Sequence, residues 1–135
     1  MIIKNQLILN TEVTKNSHKY SLDVLESIKE QINSKPKSAN IGTIGYTDQL
    51  VDVLIDAAFM YTNAIIRDGG LYVDIEILPT PQGKVLENGF NSHTVFRPKG
   101  MSSILDSIDH IGIVSDSYEL LGIAAIDKKD DAVVY

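Results

Sequence analysis

Apolar and polar positions alternate from Ile2 to Leu9, the period-two pattern of a strand with one face in a core. Asn10 to Lys19 is polar, with clustered Thr, Asn and Ser, and reads as an ordered loop or a strand-to-helix connection. The period then changes. Ser21 has the side chain of an N-cap, and Leu22, Leu25, Ile28 and Ile32 follow at helical spacing. Asp23 and Glu26 stand in the first turns, where the helix dipole favours anions. This helix, Ser21 to Asn33, must end before Pro36, because proline pushes the preceding residue out of helical geometry. Its four apolar residues are expected to pack it on the outside of a sheet.

Ile41 to Tyr46 is a short Gly-containing strand or turn. Thr47-Asp48 could cap a second helix through Leu50, Val51, Leu54 and Ile55, although their β-branched content allows a strand as well. Met60 to Arg67 and Leu71 to Leu78 alternate on either side of Asp68-Gly69-Gly70, which supplies the positive φ of a tight turn and predicts a hairpin. Pro79-Thr80-Pro81-Gln82-Gly83 then breaks the strand, and a helical turn over Lys84-Val85-Leu86 follows. His93 to Arg97, Ile111 to Val114 and Tyr118 to Ile126 are three further strand candidates, with Ser103 to Ile108 a turn capped by Ser102. Asp127 to Asp131 is a charged turn before Val133-Val134-Tyr135. Strands dominate, so the expected class is α+β: a mainly antiparallel barrel, closed or nearly so, flanked by two or three helices.

The chain has 135 residues, 44% of them hydrophobic, which fits one domain spanning 1–135. No apolar run approaches the roughly 18 residues of a membrane span, and the N-terminus lacks a signal peptide's apolar block; Met1 to Gln6 reads as the first strand of the mature protein. No cysteine is present, which removes disulfides and thiolate metal sites, and three histidines make a catalytic metal an unfavoured reading. No cofactor is expected. A net charge of −6, with Lys35, Lys37, Lys128 and Lys129 too scattered to track phosphates, argues against nucleic acid as a partner.

One stretch is more specific. Leu71 to Leu86, LYVDIEILPTPQGKVL, resembles the prohead protease family of tailed phages, in which such a strand runs into a Leu-x-Thr-Pro-x-Gly-Lys/Arg turn and helix. Prolines end the ladder there, Gly83 permits the turn, and Val85 and Leu86 are expected to return to the core. Other segments fall in the family's order: Asn16 to Leu25, Gly42 to Tyr46, Val95 to Gly100 and Tyr118 to Ile126. The resemblance implies the fold of the herpesvirus assemblin proteases, a β-barrel surrounded by helices. It also implies a phage-head setting: the virion, assembled in the host cytoplasm, with the major capsid protein or other head proteins as partners and a homo-oligomer as a further possibility.

In that alignment the family's catalytic histidine falls at Tyr46, and its nucleophilic serine at Val95 or Phe96, depending on a one-residue register. Neither Val nor Phe has a nucleophilic atom, and tyrosine is no base near neutral pH. Arg97 matches the arginine that helps stabilise the oxyanion, although an arginine paired with a carboxylate at the barrel mouth is the preferred reading. The resemblance therefore implies a member that does not cut peptide bonds, used as a head decoration, stabilisation or assembly protein. The rivals are an active protease with a triad rearranged around Ser102 or Ser103 and His110, and a regulator of a separate protease. His18 is expected to face water, and Asp74 and Glu76, on one strand face, to be solvated surface. Candidate contact residues with a capsid are Pro79, Pro81, Phe96, Val133, Val134 and Tyr135; for the C-terminal three, closing the barrel is an equal reading.

Overall fold

A computed structural model describes residues 1–45, 56–102, 104–108, 111–115 and 117–130, with the course of the chain alone for 104–108. The possible second helix from Thr47 to Ile55 lies outside the described residues, as do Tyr46, Ser103, Asp109, His110 and Val133 to Tyr135. The described strands are β1 (Ile2–Asn10), β2 (His18–Lys19), β3 (Ile41–Ile44), β4 (Phe59–Arg67), β5 (Gly70–Ile77), β6 (Thr94–Met101), β7 (Ile104–Ile108), β8 (Ile111–Val114) and β9 (Glu119–Asp127). The described helices are α1 (Leu22–Asn33) and α2 (Pro81–Gly89), with short 3-10 turns at Lys37–Ala39 and Lys128–Asp130.

Six strands form one curled sheet in the order β1-β5-β4-β3-β9-β6, and β2-β8-β7 form a smaller one. The class is α+β, as expected, but the barrel is open. The end strands β1 and β6 approach each other without forming a ladder. Pairing is mainly antiparallel, yet β3 runs parallel to β9 and β2 parallel to β8. The β4–β5 hairpin turns on Asp68 and Gly69, both at positive φ (52° and 75°), between the paired residues Arg67 and Gly70. That is the two-residue geometry matching the twist of the flanking strands.

The curl has a visible cause. Ladder irregularities interrupt β1 between Ile3 and Gln6 and β4 between Thr62 and Ile65, on either side of β5. In each gap an asparagine takes a left-handed backbone, Asn5 at φ 53° and Asn63 at φ 54°. Bulges of this kind bend a strand and increase its twist. Between them on β5, Asp74 accepts hydrogen bonds from Asn63 Nδ2 (3.0 Å), the Asn5 backbone N–H (3.1 Å) and Lys4 Nζ (3.3 Å). Asp74 is thus a three-strand clasp rather than the solvated surface the sequence suggested. Glu76, on the same face, pairs with Lys37 at 2.6 Å.

Helix α1 starts as expected, with Ser21 Oγ accepting from the Val24 N–H. Its buried residues are Val24, Leu25, Ile28 and Ile32. Leu22 is 50% exposed and does not belong to the packing face, a correction of one position in the first turn. Two polar side chains pin the helix across the sheet. Asn33 donates to the Ala64 carbonyl (2.9 Å) and accepts from the Ala64 N–H (3.0 Å), taking up main-chain groups in the irregular stretch of β4. Gln31 likewise donates to the Tyr118 carbonyl (2.9 Å) and accepts from the Leu120 N–H (2.8 Å) at the start of β9.

The Pro-Thr-Pro segment builds a longer helix than expected. Thr80 Oγ1 accepts from the Gly83 N–H (3.0 Å) and donates to the Ala57 carbonyl (2.5 Å), with Pro81 in the first turn, where a missing N–H costs nothing. Gly83 is buried against the end of β5; a Cβ there would lie 1.8 Å from the Leu78 carbonyl oxygen. Leu86 joins the core, but Val85 is 58% exposed and does not. Two further expectations are corrected. Ile104 to Ile108 is a strand, not a turn, and Ser102 Oγ donates to the Ser115 carbonyl at 3.1 Å. His18, expected to face water, is partly covered in β2, where its N–H meets Thr14 Oγ1.

Candidate functional site

Three adjacent strands carry the positions singled out in the sequence. β9 lies between β3 and β6, and Ala125 is the common neighbour, paired with Ile44 on one side and Phe96 on the other. Val95 stands opposite Ile126, and Arg97 opposite Ala124. Gly42 to Ile44, in the described start of the Gly42–Tyr46 segment, and the Val95–Arg97 segment therefore lie on the two neighbours of β9, at one end of the sheet.

Phe96 is buried in the core. Its ring meets Phe59 edge-on at 5.2 Å between centroids and lies tilted against Phe90 at 6.5 Å. It is a packing residue, so among the described residues it offers no exposed surface to a capsid. Val95 is half-buried. Arg97 is buried as well, and its Nη1 donates to the carbonyls of Phe96 (2.9 Å) and Leu7 (3.2 Å). Because Leu7 is on β1, the second bond ties the two edges of the open sheet together. Pro98, in the middle of β6, is tolerated because this is an edge strand.

Beside these strands lies a groove of about 550 Å³ between the ends of β3 and β9, the start of β6 and helix α2. Ile44, Val85, Leu86, Ala125 and Ile126 give it apolar walls, and Asp127 and Asp130 stand at its rim. The sequence reading sent Val85 to the core and left this groove unseen, since it exists only where β3, β9 and α2 converge. Pro79, before α2, and Pro81, its first residue, are exposed at that corner, as expected, and are not among the groove's described lining residues. His93 is exposed at the approach to β6, its N–H held by Asn91 Oδ1. Asp74, outside this site, has its pKa held below the ordinary carboxylate value, chiefly by the Asn63 hydrogen bond and further by the Asn5 N–H and Lys4.

No protein-family model matches the chain, and no curated protein does. Among solved structures, the chain is similar to the capsid assembly protease of bacteriophage T4, with a TM-score of 0.73 and 18% sequence identity over 93% of this chain and 90% of that one. At that identity the likeness is one of fold, and it supports a prohead protease-like fold for this chain.

Proposed function

We propose that the chain works in phage head assembly as a capsid-associated protein that does not cleave peptide bonds. The fold likeness to a capsid assembly protease supports the setting. The observation that carries the rest is Phe96. In the register drawn from the sequence, the family's nucleophile falls on Phe96 or its neighbour Val95, and Phe96 is a buried ring packed edge-on to Phe59 and tilted against Phe90. A hydrocarbon packed in the core supplies no attacking atom, and a stabilised oxyanion needs one to form. Arg97, with main-chain carbonyls as partners, acts in this reading as a tie between sheet edges.

The neighbour's own activity favours a second reading, an active protease using Ser102 or Ser103. Labelling with a serine-directed phosphonate separates the two. The purified protein is expected to stay unlabelled and to leave head-protein peptides intact. Labelling that disappears in Ser102→Ala or Ser103→Ala would establish the enzyme.

A further inference from the structure

Leu86 is buried and the Phe90 ring lies against Phe96, whereas Glu87, Asn88 and Gly89 between them are exposed. Asn88 and Gly89 also end α2, and Phe90 after them is extended. The last turn of a helix lacks partners for its carbonyls and opens first, so freeing these two residues breaks no packing. An asparagine amide is most open to attack by the next backbone nitrogen when glycine follows, because no Cβ shields that nitrogen. Asn88–Gly89 is the one such pair in the chain. A Cβ built on Gly89 meets nothing within 4 Å beyond the helix's own backbone, so the approach is open on the side of the fold as well. The other asparagines differ. The side chains of Asn10, Asn16, Asn33, Asn40, Asn63 and Asn91 are each held by hydrogen bonds. Asn5 precedes Gln6, whose side chain shields the nitrogen. The Asn88 side chain has no hydrogen-bond partner among the described residues.

We infer that Asn88 is a site of spontaneous deamidation, which turns its amide into an acid and part of the product into an isoaspartyl link. The Gly89 nitrogen loses its proton and bonds to Asn88 Cγ. The Cγ–Nδ2 bond breaks, and the nitrogen leaves as ammonia with a proton in place of the one given up. Water then opens the cyclic imide at either carbonyl, so one water enters for each ammonia lost and nothing is oxidised or reduced. Opening at the side-chain carbonyl gives an ordinary aspartate. Opening at the backbone carbonyl routes the main chain through Cγ, which lengthens it by one methylene between the anchored Leu86 and Phe90. Either product puts a carboxylate beside Glu87 at the negative end of the helix dipole, where it is unfavourable. Either also changes the wall of the groove that Gly89 lines.

The test ages the folded protein in heavy-oxygen water at about pH 6 and about pH 9, then digests it in ordinary water and maps the peptides by mass. The peptide holding Asn88 is expected to take up one solvent oxygen about tenfold or more faster than any other asparagine peptide. The rate should rise about tenfold or more across that pH range, because the attacking nitrogen must first lose its proton. Gly89→Ala puts its methyl into open space and should slow the reaction about tenfold or more, with the melting midpoint held or raised. Asn88→Gln, which leaves Gly89 in place, should leave the same peptide unlabelled over the same time. Uptake spread evenly over the asparagines, or indifferent to Gly89→Ala, would overturn the inference. So would uptake confined to the urea-unfolded protein, which would mean that α2 holds the pair closed.

Discussion

Phe96 and Asp74 do the opposite of what their places in the sequence suggest at first sight. Phe96 stands on a segment that resembles an active-site strand, yet its ring is core. Phe96→Ser should cost about 3–5 kcal/mol in denaturant unfolding, the scale of deleting a buried aromatic ring. The new hydroxyl should take no phosphonate label; labelling would show a pocket around that position. Asp74 looked like surface because its neighbours in sequence are a strand's worth of alternating residues. Its partners Asn5 and Asn63 lie 69 and 11 residues away along the chain and are brought to it by two bulges that no local pattern announces. Because its folded pKa is lowered, its contribution is fully present above the unfolded value of about 3.9 and is lost as pH falls through the folded value. Asp74→Asn should therefore lose about 1–2 kcal/mol at pH 7, and the gap from the parent should close below about pH 4. An equal gap at pH 3 and pH 7 would contradict a role for the charge.

Elements governed by local rules were legible. α1 follows from its Ser21 cap and apolar spacing, and the β4–β5 hairpin from Asp68-Gly69. What failed at this scale depended on partners. Leu22 fits the same helical spacing as Leu25, but it falls at the edge of the stripe formed by Val24, Leu25, Ile28 and Ile32, so Val24 takes its place in the core. Leu25→Ala should cost about 2–5 kcal/mol, and Leu22→Ala no more than about 0.5. The reverse order would move the helix register. Gln31 and Asn33 stand outside the apolar spacing of α1, yet each closes two main-chain hydrogen bonds on a strand. Gln31→Ala and Asn33→Ala should each lose about 1–3 kcal/mol by leaving those groups unpaired; changes within about 0.5 kcal/mol would mean water replaces them. β7 was missed because Asp106 and Ser107 break the alternation within it. α2 was read too short because the Thr80 cap lies inside what looked like a proline break.

At the scale of the molecule, the order of segments carried the fold, while closure was not in the sequence. A barrel closes only if its end strands pair, and that depends on curl accumulated over six strands. Here bulges supply curl, and Arg97 joins β6 to β1 through a side chain instead of a ladder. The parallel β3–β9 pairing was equally hidden, because nothing local fixes the direction of strands so far apart in sequence. The site followed the same division. Val95, Phe96 and Arg97 lie one strand away from the end of β3, across β9, and the groove beside them comes from the three-way meeting of β3, β9 and α2. The central claim is that this fold serves a phage head without cutting its proteins. Intact-mass spectrometry of heads assembled in cells with the chain and its cognate capsid and scaffold proteins tests that most directly. The account predicts the chain bound to the heads and every partner at the mass it has when the chain is left out. New protein termini that vanish with Ser102→Ala or Ser103→Ala, or heads that never contain the chain, would contradict it.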